Sequence, residues 1–396
     1  MYRSHNETLQ YRIDAALQQA CVTGDVPGAI ALVMQGDTLL YSGAWGRRRL
    51  DDPAPMQMDT VVWIASLTKA LTSAAALQLV EQGRLALDEP AQAVLPALGQ
   101  VRVFEGYDLQ GQPRTRPPRR PITLRHLLSH TSGFAYEYWS STIQELRKAR
   151  SLPAIASCRN AALELPLLFD PGERWEYGIS TDWVGKLIEA ASGQSLGDVL
   201  RTGLLEPLGM HDTAFFITSS MRARLATVHQ RNGAGVLSGT RIETPQNPEF
   251  QMGGGGLYGT AGDYLRFLRM VAGGGALEGR RVLSAKSIAQ MTRSQTEGLR
   301  IERRPTVMPA LSADLDLLPG QEKHFGLGFL INATATPQGL PAGSLMWCGL
   351  PNAYYWIDPT NNICGVFLTQ ILPFLDIHAY PLYLRIQEMI YQDPAR

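Results

Sequence analysis

The chain has 396 residues, of which 45% are hydrophobic and 18% are charged, and this composition is typical of a well-packed globular protein. Lys+Arg and Asp+Glu number 36 each, so charge gives no reason to expect nucleic acid or an anionic membrane as a partner. No apolar run reaches the roughly 18 residues of a membrane span, and the N-terminus is polar where a signal peptide needs an apolar core. We therefore expect a cytoplasmic protein with reduced thiols.

The first third of the chain predicts a helix, a hairpin and a second helix. Residues 9–20 have helical apolar spacing, and two apolar runs then flank a turn at Gly36 and Asp37. After a short apolar run, Ser66 begins a long Ala/Leu helix that Gly83 ends.

The rest of the chain changes character twice. Residues 87–246 are rich in proline and in helical patterns, with a basic run from Arg114 to Arg120 that we expect to form a hairpin or loop. The C-terminal third returns to strands and closes with a helix over residues 381–391. This order predicts an α+β fold. An antiparallel sheet flanked by helices would come from residues 1–86 and 247–396, with residues 87–246 inserted as a mainly helical domain and a cleft at the junction.

A serine and a lysine stand three residues apart at the start of the second helix. Residues i and i+3 share a helix face, so Ser66 and Lys69 project together. A serine hydroxyl is a weak nucleophile until a neighbour takes its proton, and a buried lysine can be neutral and take it. The pattern could arise by chance, but of the five lysines only Lys69 follows a serine at this spacing.

Two further segments could supply partners for this pair. Tyr177 lies in an aromatic, Gly-flanked loop just before a helix, and a tyrosine beside a lysine can relay protons. Its alternative role is packing against Trp175 in the core. Residues 344–349 predict a strand whose Gly349 would allow a ligand or another backbone to approach closely. The alternative there is an ordinary core strand with a bulge.

In order and spacing, these segments resemble the serine β-lactamase and penicillin-binding-protein superfamily. The chain is most similar to the class C β-lactamase-like branch and its esterases, the family VIII carboxylesterases. The resemblance extends from about Gly28 to Phe374 and includes the segments LLSHTSGF, FDPGERWEYG and GGGGLYGTAGDYLRFLRM. The S-x-x-K pair is one element of the superfamily's motif set.

The resemblance implies a role for each matching residue. Ser66 would be the acylated nucleophile, and Lys69 would assist its deprotonation. Tyr177 matches the tyrosine of the family's Y-x-N element and would act as base or proton relay. The backbone N–H groups of Ser66 and Leu350 would form the oxyanion hole. Trp347, Cys348 and Gly349 fall where the lactamases have K-T-G or H-T-G, and would bind substrate together with Ile179 and Tyr136.

Departures from the family pattern favour an esterase over a penicillinase or peptidase. Ile179 replaces the asparagine of Y-x-N, and Trp347 replaces the basic or imidazole residue of K-T-G. A site without these polar partners should discriminate against polar β-lactam ligands, whereas an indole offers apolar area to an acyl or alcohol group. We expect hydrolysis of small to medium acyl esters. The alternatives are acyl transfer to an alcohol, weak β-lactam hydrolysis, and a non-enzymatic relative, against which the retained Ser66, Lys69 and Tyr177 argue.

Other patterns have a simpler structural explanation. The sequence GQSLG around Ser195 matches a nucleophile elbow, but a helix precedes it where an elbow needs a strand, so we expect Ser195 to cap a helix. His126 and His130 lack the glutamate of H-E-x-x-H, and no cysteine pair has CxxC spacing. We expect no metal and no cofactor, and a small-molecule ester as the partner.

Three quieter features concern the walls of the predicted cleft. Tyr136, together with Tyr138 and Trp139, could line an acyl pocket or belong to the core of the helical domain. The glycine run at residues 253–256 should let backbone pass close to a ligand. Cys348 could face the site, but nothing nearby in the sequence predicts a reactive thiolate.

Overall fold

The computed structural model describes residues 5–393. Eleven α-helices are found in this part of the chain, and several short 3₁₀ turns and one π-turn connect them. The α-helices are α1 (His5–Val22), α2 (Thr68–Glu81), α3 (Leu124–Leu128), α4 (Ser141–Ala149), α5 (Ser180–Ser192), α6 (Leu196–Leu200), α7 (Glu206–Leu208), α8 (Ser219–Ala223), α9 (Ala261–Ala272), α10 (Ala285–Thr292) and α11 (Ala379–Tyr391).

Seventeen strands lie in the same range, and most of the long ones come from the two ends of the chain. They are β1 (Gly28–Gln35), β2 (Thr38–Arg49), β3 (Asp52–Pro55), β4 (Val62–Trp63), β5 (Val103–Tyr107), β6 (Pro113–Arg116), β7 (His229–Arg231), β8 (Leu237–Gly239), β9 (Tyr258–Gly259), β10 (Ala276–Leu277), β11 (Arg280–Arg281), β12 (Lys323–Phe325), β13 (Leu330–Asn332), β14 (Leu345–Gly349), β15 (Ala353–Asp358), β16 (Ile363–Leu368) and β17 (Ile371–Leu372). None of the helices in the described range is long and apolar enough to cross a membrane.

Eight strands form one antiparallel sheet that joins the two ends of the chain. Its order is β12-β13-β14-β15-β16-β1-β2-β3, so the N-terminal hairpin pairs directly with the C-terminal meander. The junction aligns Ile30 of β1 with Leu368 of β16. This arrangement confirms the α+β fold class and the large antiparallel sheet. The division at residues 86 and 247 remains a prediction.

Helices cover both faces of this sheet. Successive residues of a strand point to opposite faces, and β15 shows where each face leads. Tyr354 stacks on Tyr383 of α11 with ring centroids 4.5 Å apart, whereas its neighbour Tyr355 packs against Tyr264 of α9. The helix α2 is buried on nearly every side, as expected for a helix enclosed by other elements, and it packs against α5.

Most predicted elements are present, with changes at their boundaries. The first helix is longer than the predicted 9–20, because it runs from His5 to Val22. In the C-terminal third, Gly328 adopts a positive φ of 104° between the strands β12 and β13. The middle region contains α3 to α8, but it also contains the β5–β6 hairpin, to which the basic run contributes Arg114 and Arg116.

Candidate active site

A strained turn presents Ser66 at the start of α2. The short strand β4 pairs with β9, and the Ile64 N–H donates to the Leu257 carbonyl at 3.1 Å. Ala65 then adopts a φ of +45°, a left-handed conformation that non-glycine residues rarely take and that often marks functional sites. Ser66 therefore lies in a 3₁₀ turn just before α2 rather than in the α-helix itself, and it remains half-buried at the surface of a cavity.

Lys69 is buried directly beneath this serine. Its Nζ lies 3.1 Å from Ser66 Oγ and 3.1 Å from the Tyr136 hydroxyl, and it donates to the Gly254 carbonyl at 2.6 Å. Only 1% of the residue is exposed. Burial lowers the pKa of Lys69 to about 7, although the nearby charge of Asp182 opposes the shift. A substantial fraction of the amine is therefore neutral near pH 7 and able to accept the Ser66 proton.

Two tyrosines flank the lysine, and their hydroxyls have different partners. Tyr136 is the tyrosine whose hydroxyl contacts Lys69. The Tyr177 ring lies under the amine at 4.7 Å from its centroid, and its hydroxyl accepts a hydrogen bond from Trp347 Nε1 at 3.3 Å. Burial raises the pKa of Tyr177 above its ordinary value, while hydrogen bonds with Ser66 and Trp347 oppose that shift. Tyr177 thus keeps its proton near neutral pH, which suits a relay better than a resting base.

An aromatic cluster fixes the position of Tyr177. The ring of His130 packs edge-on against the Tyr177 ring with centroids 4.9 Å apart, and Trp347 of β14 does the same. Burial, with a smaller contribution from the charge of Lys69, holds the pKa of His130 well below its usual range. The imidazole is therefore neutral, so His130 supports the ring without adding a charge to the site.

The strand β14 forms one edge of the site. Its Gly349 allows the close approach that the sequence predicted. A Cβ at Gly349 would lie 2.5 Å from the carbonyl oxygen of Ile64, so the strand can approach the Ser66 turn this closely only because residue 349 is glycine. Trp347, Cys348 and Leu350 all line the cavity. Burial raises the pKa of Cys348 well above its ordinary value, which keeps its thiol protonated.

The glycine run passes close to Lys69 and Trp63 as well as to the cavity. Gly254 and Gly255 line the cavity. The Gly254 carbonyl accepts from Lys69, and the Gly255 carbonyl accepts from Trp63 Nε1 at 2.7 Å. The hydrogen bonds of these two carbonyls are thus made to protein side chains, and they fix the position of the glycine run beside the cavity.

The cavity wall contains no Asp, Glu, Lys or Arg among the residues of the described chain that line it. Tyr136 lines the cavity, whereas Ile179 is fully buried at the start of α5 and does not. Sequence reasoning named Tyr138 and Trp139 as possible wall residues, and both are there. It missed seven others, which are Trp63, Ala65, Ile155, Ala156, Met252, Leu315 and Phe374.

Leu315 shows why some wall residues escaped sequence reasoning. It belongs to the irregular segment between α10 and β12, which has no periodicity to interpret. This segment is tied to the aromatic wall, since the Val307 N–H donates to the Tyr138 carbonyl at 2.9 Å and Trp139 Nε1 donates to Ser312 Oγ at 3.1 Å. A long-range contact of this kind leaves no local signal.

The GQSLG serine and the first histidine of the His126–His130 pair have structural roles, as expected. Ser195 is the N-cap of α6, and its Oγ accepts from the Asp198 N–H and donates to the Asp198 carboxylate at 2.7 Å. His126 takes part in the capping box of α3 with Thr123. Across residues 5–393, no group of three or more His, Cys, Asp or Glu side chains could hold a metal ion.

Two curated relatives of the chain are named as an esterase and as an acyltransferase. A lovastatin esterase of Penicillium rubens is 31% identical over 381 residues, which cover 91% of this chain and 93% of that protein. The ML-236A carboxylate methylbutanoyltransferase of Penicillium citrinum is 30% identical over 397 residues, covering 96% of this chain and 93% of that protein.

A solved structure agrees with these sequence relatives. Unliganded simvastatin synthase from Aspergillus terreus matches with a TM-score of 0.84 at 29% identity, covering 98% of this chain and 99% of that chain. The family model described as Beta-lactamase matches residues 13–387. With this match, the fold and the esterase and acyltransferase relatives, the chain belongs to the beta-lactamase family and is an enzyme of the serine-hydrolase type.

Proposed function

We propose that this enzyme is a carboxylesterase that works through an acyl-enzyme on Ser66. The observation that carries the proposal is the position of Ser66 Oγ at the cavity surface, 3.1 Å from a lysine amine that is 1% exposed. A nucleophile, a neutralised base and an apolar cavity meet at one point, as nucleophilic catalysis on an ester requires.

The acylation step uses Lys69 and then Tyr177. Neutral Lys69 accepts the proton of Ser66 as Oγ bonds to the ester carbonyl carbon. The backbone N–H groups of Ser66 and Leu350 would stabilise the negative oxygen of the tetrahedral intermediate. The bond from carbon to the alcohol oxygen then breaks, and the proton returns from Lys69, by way of Tyr177, to the departing alcohol.

Deacylation repeats the same steps with water. A water molecule gives its proton to Lys69 as its oxygen attacks the acyl carbonyl carbon. The bond to Ser66 Oγ breaks, the serine recovers the proton, and the carboxylic acid leaves. Because Lys69 must be neutral in the free enzyme for acylation, kcat/KM should rise with pH through about 7, the pKa of that amine.

The cavity wall favours uncharged, apolar acyl groups. Its aromatic and aliphatic side chains offer no cation to bind the carboxylate of a β-lactam. Burying such a carboxylate without a partner costs several kcal/mol. We therefore expect esters of small to medium apolar acids as substrates, with β-lactams turned over slowly.

Acyl transfer to an alcohol is the second candidate function. The observation in its favour is the same apolar, largely aromatic wall, which can bind an acceptor alcohol in competition with water. Relatives named as methylbutanoyltransferase and simvastatin synthase support it as well. Both functions pass through the same acyl-enzyme and differ in what attacks it.

The test compares three reactions of the wild-type enzyme. We expect p-nitrophenyl butyrate to be hydrolysed at least about 100-fold faster than nitrocefin in kcat/KM, because the site lacks cationic partners for the lactam carboxylate. Adding butanol then divides the products between butyric acid and butyl butyrate. Excess butyl butyrate at low alcohol concentration would make the enzyme an acyltransferase, and faster nitrocefin turnover would overturn the esterase proposal.

A further inference from the structure

A buried carboxylate lies behind the lysine and has no assigned role in the mechanism above. Asp182 is in the first turn of α5 and is 0% exposed. Its Oδ1 accepts a hydrogen bond from the Gly254 N–H at 2.8 Å. Its Oδ2 has no hydrogen-bond partner within bonding distance among residues 5–393. A buried carboxylate that is only partly satisfied is costly, so its position calls for an explanation.

Gly254 places this carboxylate next to the catalytic lysine. Its N–H binds Asp182, and its carbonyl oxygen accepts from Lys69 Nζ at 2.6 Å. A Cβ at this position would lie 2.7 Å from Asp182 Oδ2 and 2.9 Å from Oδ1. The carboxylate can therefore lie against the backbone only because residue 254 is glycine. One residue thus connects the acid to the amine.

Tyr136 makes a second connection between the two groups. Its hydroxyl lies 3.1 Å from Lys69 Nζ, and it is near enough to Asp182 to lower the pKa of that carboxyl. Asp182 is therefore connected to Lys69 through Gly254 and through Tyr136. Both residues contact Lys69 Nζ, the atom that faces Ser66.

We propose that Asp182 is a positioning residue for acyl transfer, which holds Lys69 Nζ against Ser66 through Gly254 and Tyr136 and whose negative charge favours transfer of the Ser66 proton to the amine. The inference rests on the proposed function, because it assigns Lys69 the role of base. Asp182 itself touches no substrate, since it does not line the cavity.

Other ionisable groups face Lys69 from neighbouring elements, and burial keeps them neutral. Burial raises the pKa values of Cys348, Tyr136 and Tyr177, and it lowers that of His130. Asp182 makes the largest contribution that opposes the effect of burial on the pKa of the lysine, ahead of Cys348.

On the other side, Asp182 faces Glu137, Tyr138 and Cys158. Glu137 is already paired with Arg147 at 3.1 Å. Burial raises the pKa of Asp182 to about 6, and the charge of Lys69 opposes this shift. Asp182 and Lys69 thus titrate as a coupled pair in which the negative charge makes the amine more basic than burial alone would.

The experiment measures the lysine directly and needs no substrate. The chain has five lysines, so ¹³C labelling at lysine Cε gives few NMR signals, and Lys69→Met identifies the signal of Lys69. In wild type this signal should titrate near pH 7, with a second inflection near pH 6 as Asp182 ionises. In Asp182→Asn, which keeps an acceptor for the Gly254 N–H, the second inflection should vanish and the midpoint should fall by about 1 unit.

Activity should change in parallel. The acidic limb of kcat/KM should move to lower pH with the NMR midpoint. The plateau of kcat should fall about 10-fold, because a less basic amine accepts the proton less readily, and KM should change little. Asp263→Asn is the matched control, because Asp263 is also buried but binds Thr213 and the Asp212 N–H away from the cavity.

Three outcomes separate the proposals. If the Lys69 signal of wild type shows no inflection near pH 6, or Asp182→Asn leaves its midpoint unchanged while lowering the melting temperature, Asp182 is only structural and the inference is overturned. The wild-type titration decides this even if the variant does not fold. If the titrations behave as expected but the enzyme forms no acyl-enzyme, the proposed function alone has failed.

Discussion

Ser66 and Ser195 both stand at the start of a helix and both match a catalytic motif, yet their surroundings are opposite. Ser66 faces a cavity beside a lysine that is 1% exposed. Ser195 lies at the protein surface, where its hydroxyl is engaged by the Asp198 carboxylate and the Asp198 N–H. Ser66 lies beside an amine whose pKa burial has lowered. The hydroxyl proton of Ser195 is instead held in a hydrogen bond to the Asp198 carboxylate.

The difference concerns what the proposed nucleophile Ser66 has and Ser195 lacks. The hydroxyl needs an acceptor that is neutral or negative at working pH and an adjacent space for the acyl group. Asp198 can accept a proton, but hydrogen bonds with Ser195 and Arg201 lower the pKa of its carboxyl, so it is a weak base. Lys69 becomes a useful base because burial lowers its pKa to about 7.

Removing the Ser66 hydroxyl should have the largest effect. We expect Ser66→Ala to lower ester hydrolysis by roughly 10⁴-fold or more, because the acyl-enzyme can no longer form. A fluorophosphonate should add its mass to one site in wild type and to none in the variant, as measured by mass spectrometry. Retained labelling or hydrolysis would remove Ser66 as the nucleophile and redirect attention to Ser195.

Removing the lysine amine should come next. Lys69→Met keeps the buried shape but deletes the base, so we expect kcat to fall by about 10³-fold. Lys186→Met serves as the control, since Lys186 is paired with Glu189 on the outer side of α5. An equal loss in both variants would show that the effect is not specific to the site.

The two tyrosines should differ, although each loses only a hydroxyl. Tyr177→Phe should lower kcat by about 100-fold, because its hydroxyl lies beside Ser66 and would return the proton to the alcohol. Tyr136→Phe should lower it by about 10-fold, since that hydroxyl only holds Lys69. Steady-state kinetics on one ester measures both, and a larger loss for Tyr136→Phe would reverse the assignment of the relay.

The smallest effect should come from the surface serine. Ser195→Ala removes the side-chain cap of α6, which should lower the free energy of unfolding by about 1 kcal/mol, with kcat/KM unchanged. Thr218→Ala is the matched control, because Thr218 caps α8 in the same way through the Met221 N–H. A loss of activity confined to Ser195→Ala would give that serine a role beyond capping.

Much of the fold followed from patterns that are local in sequence. The β1–β2 hairpin, the buried helix after Ser66 and the cap at Ser195 each depend on apolar spacing or on a turn residue, and each is present in the structure. Element boundaries were less predictable, since the first helix runs from His5 to Val22 rather than over residues 9–20.

The candidate site was predictable only in part. Ser66 and Lys69 are linked by the helical period, and the resemblance placed Tyr177 beside them. The contact of Tyr136 with Lys69 spans 67 positions of the chain, and that of Asp182 with Gly254 spans 72. No local pattern could have revealed them. Ile179 was expected to bind substrate, yet it is buried and does not line the cavity.

The sequence by itself determined the α+β class, the Ser66–Lys69 pair that we propose as nucleophile and base, and the absence of the family's polar lactam-binding residues at positions 179 and 347, because these depend on residue identity and short spacing. Tertiary structure decided which tyrosine contacts the lysine, which residues wall the cavity and which carboxylate lies behind the amine. The physical reason is that burial sets the charge of Lys69 and Asp182, and burial arises only when segments distant in the chain pack together.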